Sequence, residues 1–280
     1  MNSSYKYKNR DGIFIFDKNI KHRNNEYDER NFNILLQMQK KHFWYVGRHK
    51  FILETLKKSI SRLNFSTMDL GGGLGGWIEY LKEKIPSRIS KIVLADSSRI
   101  ALIKAKKVLS KYPDVKFYKV DIEKLKLKEK FDVITLLDVI EHCPDDNRII
   151  QQSAKFLKSG GKLIITTPAL KFFFSYNDIL AKHLRRYNKK DFEALATNNN
   201  LILKDARYFM FLLSPLFYFY RKSYKNVTEK KRYIAFKKEH KIPHPILNFF
   251  LSEIFKLETL INKIFRFPFG TSIIGVFEKK

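Results

Sequence analysis

From residue 65 to residue 208 the chain alternates short, strongly apolar runs with amphipathic stretches. Phe65 to Leu70, Ile92 to Ala95, Val115 to Val120, Phe131 to Leu137 and Gly161 to Thr167 are of strand length. The stretches between them repeat apolar side chains at helical spacing. The pattern predicts strands at 66–70, 91–95, 115–120, 131–137 and 161–167, and helices at 76–84, 98–110 and 145–157. A helix near 189–199 and a strand near 201–208 follow. Such alternation implies a doubly wound α/β fold, a parallel sheet with helices on both faces. Upstream, residues 1–26 read as a loose arm. Residues 28–62 read as one or two helices, with Phe51, Ile52, Leu56 and Ile60 at helical spacing.

Residues 209–268 are too many for an ordinary loop and are expected to carry helices of their own. They open on an aromatic run, Phe209 to Tyr220. Arg221 to Lys241 then holds nine basic and two acidic side chains. Leu247, Phe250, Leu251, Ile254, Leu257, Ile261, Ile264 and Phe265 recur at helical spacing after it.

The first predicted strand runs into Asp69-Leu70-Gly71-Gly72-Gly73-Leu74-Gly75-Gly76, a glycine turn that leads into a helix. Glycines there let the backbone turn tightly and let a ligand lie against it. Gly71-x-Gly73-x-x-Gly76 satisfies a dinucleotide fingerprint, and Asp96 follows about 20 residues later, where a carboxylate could accept ribose hydroxyls. The same residues also read Asp69-x-Gly71-x-Gly73-x-Gly75, which resembles the first motif of the class I S-adenosylmethionine (SAM) methyltransferases.

Three downstream segments resemble that family too: Val115 to Asp121, Phe131 to His142, and Leu157 to Pro168. Gly270 to Lys280 resembles its antiparallel seventh strand. The four together, in this order, favour the methyltransferase reading over an NAD(P)-binding oxidoreductase. His42-Phe43-Trp44-Tyr45 with Arg48, and His183-Leu184-Arg185-Arg186-Tyr187, are similar to segments of bacterial methyltransferases of unassigned substrate. The resemblance implies a seven-stranded, mostly parallel sheet with an antiparallel last strand, a helical N-terminal extension and a helical insert before that strand. The implied regions are 1–62 (arm and cap helices), 63–208 (SAM-binding core), 209–268 (insert) and 269–280 (last strand).

It also implies where SAM lies. Gly71, Gly72, Gly73 and Gly75 approach its methionine end, with Asp69 behind the turn. Asp96 and Ser97 meet the ribose, and Asp121 and Ile122 lie beside the adenine. Asp138 flanks the site, and Trp44 and Arg48 cover the methionine end.

Methyl transfer needs alignment of acceptor and methyl group, and a base only where the acceptor carries a proton. His142 and His183 are candidates because histidine titrates near neutral pH. Tyr187 and Arg186 could orient an acidic or hydroxylated acceptor. Asp138-x-x-Glu141-His142 offers two carboxylates and an imidazole that share a face if a helix starts there, a possible divalent-metal set. Ubiquinone-pathway O-methyltransferases and small-RNA ribose methyltransferases have a similar Glu-x-x-Glu-His, with Asp138 in this chain in place of the first Glu. No Asn/Asp-Pro-Pro-aromatic follows the fourth core strand, which disfavours methylation of a base nitrogen.

Composition narrows the partners. One cysteine, Cys143, excludes an internal disulfide and fits a reducing compartment. Met1 to Arg30 shows no apolar signal-peptide core. The longest apolar run, Phe209 to Tyr220, contains Pro215 and falls short of the roughly 20 residues of a membrane span. The expected location is cytoplasmic, with peripheral attachment to the inner membrane face considered.

Net charge is +27, which suggests an anionic partner, nucleic acid or membrane surface, against a compositional origin in a Lys-, Asn-, Ile- and Phe-rich chain. The expected acceptor is a hydroxyl, carboxylate or carbon of a small, glycan or lipid-linked molecule. An RNA ribose hydroxyl is the runner-up, and a non-catalytic SAM-binding protein a further class. The insert is expected to form a lid that also docks on an anionic membrane, against packing on the sheet or forming a dimer interface.

Overall fold

The computed structural model describes residues 7–17, 20 and 32–280. Among these, nine strands form one sheet: β1 Lys8–Arg10, β2 Ile13–Ile15, β3 Phe65–Leu70, β4 Ile89–Asp96, β5 Val115–Lys119, β6 Phe131–Leu137, β7 Leu157–Pro168, β8 Leu201–Phe209 and β9 Ser272–Lys279. The helices are α1 Phe32–Lys41, α2 Phe43–Ser59, α3 Gly76–Lys84, α4 Arg99–Val108, α5 Asp146–Lys155, α6 Tyr176–Ala181, α7 Lys189–Asn198, α8 Ser214–Ser223, α9 Glu229–Glu239 and α10 Pro245–Ile261.

The sheet order is β1-β2-β5-β4-β3-β6-β7-β9-β8. β5, β4, β3, β6 and β7 run parallel, and β9 enters antiparallel between β7 and β8. The strand order reverses at β3, whose neighbours are β4 and β6. In open α/β sheets such a switch point opens a crevice at the carboxyl ends of the strands. The central strands are buried on both faces: every residue of β3 is buried. One face is covered by α2, α3, α4 and α10, the other by α5 and α7.

The strand count corrects the expected seven. The two extra strands come from the segment read as a loose arm. Arg10 pairs with Ile13 across Asp11-Gly12, whose φ values of 57° and 72° make the left-handed two-residue turn that favours hairpins. β2 then adds in parallel to β5, and Ile13 is wholly buried. The rest of the arm, residues 1–6, 18–19 and 21–26, and the first four residues of the expected 28–62 helices lie outside the described residues. The short helix α6 was not expected either. It is fixed by a capping box, in which Ser175 and Asp178 each bond the other's backbone amide or its neighbour.

The segment after β8 forms α8, α9 and α10. α10 buries Leu251 and Phe255 against α2 and β8, with Phe255 stacked 6.2 Å from Phe209. Its other side leaves Ile246, Phe250, Leu257 and Leu260 exposed, so this helix is apolar on both faces. No helix among the described residues is long and apolar enough to cross a membrane.

Candidate active site

The glycine turn sits at the switch point. Gly71 and Gly72 donate their N–H groups to the Ala95 carbonyl at 2.8 and 3.2 Å, which ties the turn to β4. Gly71, Gly73 and Gly75 have φ of 82°, 52° and 82°, a region L side chains enter at a cost. A Cβ on Gly71 would strike Val139, and one on Gly72 would strike the Asp69 carboxylate. One on Gly73 would meet nothing within 4 Å. The turn is therefore pressed onto protein at Gly71 and Gly72 and open at Gly73, as a ligand that lies on bare backbone requires.

Asp96 holds this turn from beneath. Its carboxylate accepts from Gly73 N–H and Ser98 N–H, both at 2.8 Å, and the residue is only 1% exposed. A carboxylate has acceptor capacity beyond two bonds, but the first task of Asp96 is to shape the loop. Ser97 beside it is half-buried. Asp121, two residues beyond the end of β5, caps a single turn, accepting from Glu123 N–H at 3.0 Å, with Ile122 half-buried next to it. Asp96 ends β4 with Ser97 after it, and Asp121 and Ile122 follow β5, so the four lie at the carboxyl ends of adjacent parallel strands.

Asp69, behind the turn, takes none of the amides of Gly71, Gly72, Gly73 or Gly75, which go to Ala95, Asp96 and Gly72. It accepts instead from the Thr135 hydroxyl of β6 at 2.7 Å. Burial pushes its carboxyl up to about 7, against the pull of Thr135 and Arg48. The folded form thus binds a proton more tightly than the unfolded chain, so stability is complete below about pH 4 and is lost as pH rises to about 7. Asp69→Asn keeps the acceptor for Thr135 and removes that loss. In thermal denaturation it is expected to match the parent near pH 4 and exceed it by roughly 2–4 kcal/mol at pH 8. Parallel pH profiles for the two proteins would show that Asp69 is not buried as a proton-binding group.

α2 brings Arg48 into the site from the other side. The guanidinium pairs with Asp138 and lies 4.7 Å from the centre of the Trp44 ring. Asp138 also accepts from the Thr166 hydroxyl at 3.1 Å. Its φ is 57° and residues Ile140–His142 make a single tight turn, so no α-helical face forms there. That corrects the expected grouping of Asp138, Glu141 and His142. The geometry instead gathers Glu141, His142 and His183, whose ligand atoms lie within 4.8 Å of one another and could hold a cation.

Glu141 is fully buried, and neither carboxylate oxygen has a hydrogen-bond partner among the described residues. Burial first, and the charge of Asp138 second, hold its carboxyl well above the usual range. Next to it, the rings of His142 and His183 meet edge to face at 4.9 Å.

His183 Nδ1 lies 2.9 Å from Asp178, a residue that the sequence pattern did not single out. Asp178 is wholly buried and is gripped by Arg186 through two bonds, 2.8 and 3.0 Å. Burial pushes the Asp178 carboxyl up, but the bonds from His183 and Arg186 outweigh it and hold it at about 2. The Ser175-x-x-Asp178 spacing of the capping box was the signal available in the sequence.

Two expected acceptor-orienting residues are engaged elsewhere. Tyr187 is 3% exposed and donates its hydroxyl to Asp146 at 2.8 Å. Arg186 also donates to the carbonyls of Ala169 and Thr271. Both brace the walls rather than reach into the crevice.

A family model for a methyltransferase domain matches residues 38–211. The chain is 32% identical over 118 residues to a ubiquinone biosynthesis O-methyltransferase of Nitrosomonas europaea, covering 38% of this chain and 49% of that protein. It is 25% identical over 158 residues to malonyl-[acyl-carrier protein] O-methyltransferase 1 of Ilyobacter polytropus, covering 54% and 58%. The chain thus spans about half the length of the curated relatives it matches. In fold it is similar to an S-adenosylmethionine-dependent methyltransferase of Clostridium acetobutylicum, with a TM-score of 0.55, 15% identity and coverage of 89% and 98%. With its glycine turn at the switch point and its antiparallel β9, this chain belongs to the methyltransferase-domain family and has the class I SAM-dependent methyltransferase fold.

Proposed function

We propose that the protein transfers a methyl group from SAM to an acceptor oxygen, with His183 as general base. The observation that carries this is the buried Asp178–His183 pair beside the crevice. Asp178 is held as a carboxylate, so it accepts a proton-bearing Nδ1 from His183 and leaves Nε2 with its lone pair. That nitrogen can take the proton of a hydroxyl as its oxygen forms the new bond to carbon. His142 packs edge-on to the ring and limits its rotation.

SAM, when bound, supplies an electrophilic methyl group and a neutral leaving thioether. The protein's part is to align the acceptor and exclude water. The open backbone of Gly73 and the carboxylates of Asp96 and Asp121 are the groups that would hold the cofactor, with Trp44 and Arg48 as a cover. Both curated relatives carry O-methyltransferase names, which supports oxygen over nitrogen. A hydroxyl on a small, glycan or lipid-linked molecule is the favoured acceptor class. The +27 charge keeps an RNA ribose hydroxyl as the second reading.

Calorimetry with S-adenosylhomocysteine and with NAD is the test of the cofactor. S-adenosylhomocysteine is expected to bind and NAD not, and Asp96→Ala is expected to weaken that binding by about 1–3 kcal/mol through loss of loop shape and hydrogen bonds. Binding of NAD alone would overturn the reading. Labelled SAM incubated with lipid, RNA and soluble extracts then ranks the acceptors, and label found solely in RNA would put the ribose hydroxyl first.

A further inference from the structure

A cleft of about 330 Å³ between α6, α8 and α9 has no part in the reading so far. We propose that it binds the methyl acceptor, and that the acceptor is an amphiphile with an apolar body and an anionic head group. The proposal rests on the methyltransferase reading and names its substrate class.

The cleft lies at the right end of the sheet. Pro168 and Phe209 both pair with Ser272, so the segments that follow β7 and β8 and precede β9 meet at the carboxyl ends of the parallel strands. Thr271 lines the cleft, and its carbonyl accepts from Arg186, the residue that grips Asp178 beside His183. Phe217, another lining residue, stacks 6.3 Å from Phe43 at the start of α2, the helix that carries Arg48. Ser175, also a lining residue, donates its N–H to Asp178 at 2.9 Å, so the cleft wall includes a direct partner of the Asp178–His183 pair.

Its chemistry is two-sided. Phe173, Tyr176, Phe217 and Tyr218 give an aromatic wall, while Phe172 and Ile179 at the rim stay 59% and 62% exposed. Clustered exposed apolar side chains mark a surface that is covered in use. Among the described residues, no carboxylate lines the cleft, and four cations do. Two of these are committed: Arg221 to Glu239 at 2.8 Å, and Arg232 to the carbonyls of Tyr224 and Lys225. Lys222 and Lys225 carry no ion pair among the described residues, and Lys222 Nζ stands 5.5 Å over the Tyr218 ring. An aromatic trough with ammonium groups along it complements an anionic head joined to an apolar chain. A bare phosphate would leave the trough empty, and an uncharged chain would leave the ammonium groups unpaired.

The test uses the intact protein with dodecyl phosphate kept monomeric, against dodecyl maltoside and inorganic phosphate. Dodecyl phosphate is expected to bind at least about tenfold more tightly than either control. Lys222→Ala with Lys225→Ala should weaken it by about tenfold and flatten its salt dependence. Phe172→Ser with Ile179→Ser should weaken it similarly at unchanged salt dependence.

Both double variants are expected to keep the parent's affinity for S-adenosylhomocysteine. Equal binding of dodecyl phosphate and dodecyl maltoside, or indifference to both double variants, overturns the proposal while leaving the cofactor reading intact. Loss of S-adenosylhomocysteine binding by the parent protein would instead strike the methyltransferase reading. Flotation with phosphatidylglycerol vesicles distinguishes the source of the amphiphile. Flotation that the lysine variant abolishes assigns it to a bilayer; monomer binding without flotation assigns it to a free molecule.

Discussion

His183→Ala is expected to slow methyl transfer by about 10²–10⁴-fold and to leave S-adenosylhomocysteine affinity unchanged. The size follows from the role: positioned proton transfer contributes that much when the group has a fixed partner and the correct tautomer. Asp178 supplies both. It is held as a carboxylate at about 2 by His183 and Arg186, and so fixes the proton on Nδ1. His142 meets the same ring edge to face, and it is His183 that the buried Asp178 carboxylate fixes, so His142→Ala is expected to cost less than about tenfold. Transfer of labelled methyl groups into cell extract is the measurement. A dead His142 variant beside an active His183 variant would reverse the assignment, and two fully active variants would show that no base is used.

Arg186→Met is expected to destabilise the fold by about 3–5 kcal/mol, because it leaves a wholly buried carboxylate without its counter-charge. For a chain of this size that is a melting-point drop of roughly 10 °C. The pH dependence separates charge loss from simple loss of packing. In the parent, the Asp178 carboxyl sits below its unfolded value, so its stabilisation is present above about pH 4 and is lost as pH falls through about 2. In the variant, burial is no longer opposed by the guanidinium, and protonation relieves the orphaned charge. The deficit should shrink as pH falls from 8 towards 5. A constant deficit across that range would mean that Arg186 acts through its bonds to Ala169 and Thr271 alone.

Much of this architecture was legible because the apolar runs are long and clean. β3, β6 and α3 lie within a residue of their expected places, since burial on both faces leaves such strands few polar positions. The hairpin was missed although Asp11-Gly12 is a strong turn signal, because Lys8 to Arg10 is wholly polar and does not read as a strand.

The candidate site was legible in its parts and not in its assembly. His183 was a candidate from its titration range. Its partner Asp178 was hidden as a helix-capping residue, brought round by a left-handed Lys182 with φ of 60°. The same kind of backbone reversal kept Asp138 from sharing a helical face with Glu141 and His142, and it pairs with Arg48. Left-handed conformations at residues other than glycine leave no mark in hydrophobic periodicity.

The placement of β9 also dictates an order of events during synthesis. β7 and β8 are separated in the finished sheet by a strand made some 60 residues after β8. While α8, α9 and α10 emerge, each of these two strands keeps an unpaired edge, the kind of surface that recruits other chains. The nascent chain therefore passes through a stage in which β8 lacks its partner strand β9 and Phe192 its contact with Phe277. The eight-residue β9 then fills the gap through contacts distant in sequence, a pairing expected to form more slowly than the local units of β3 to β6.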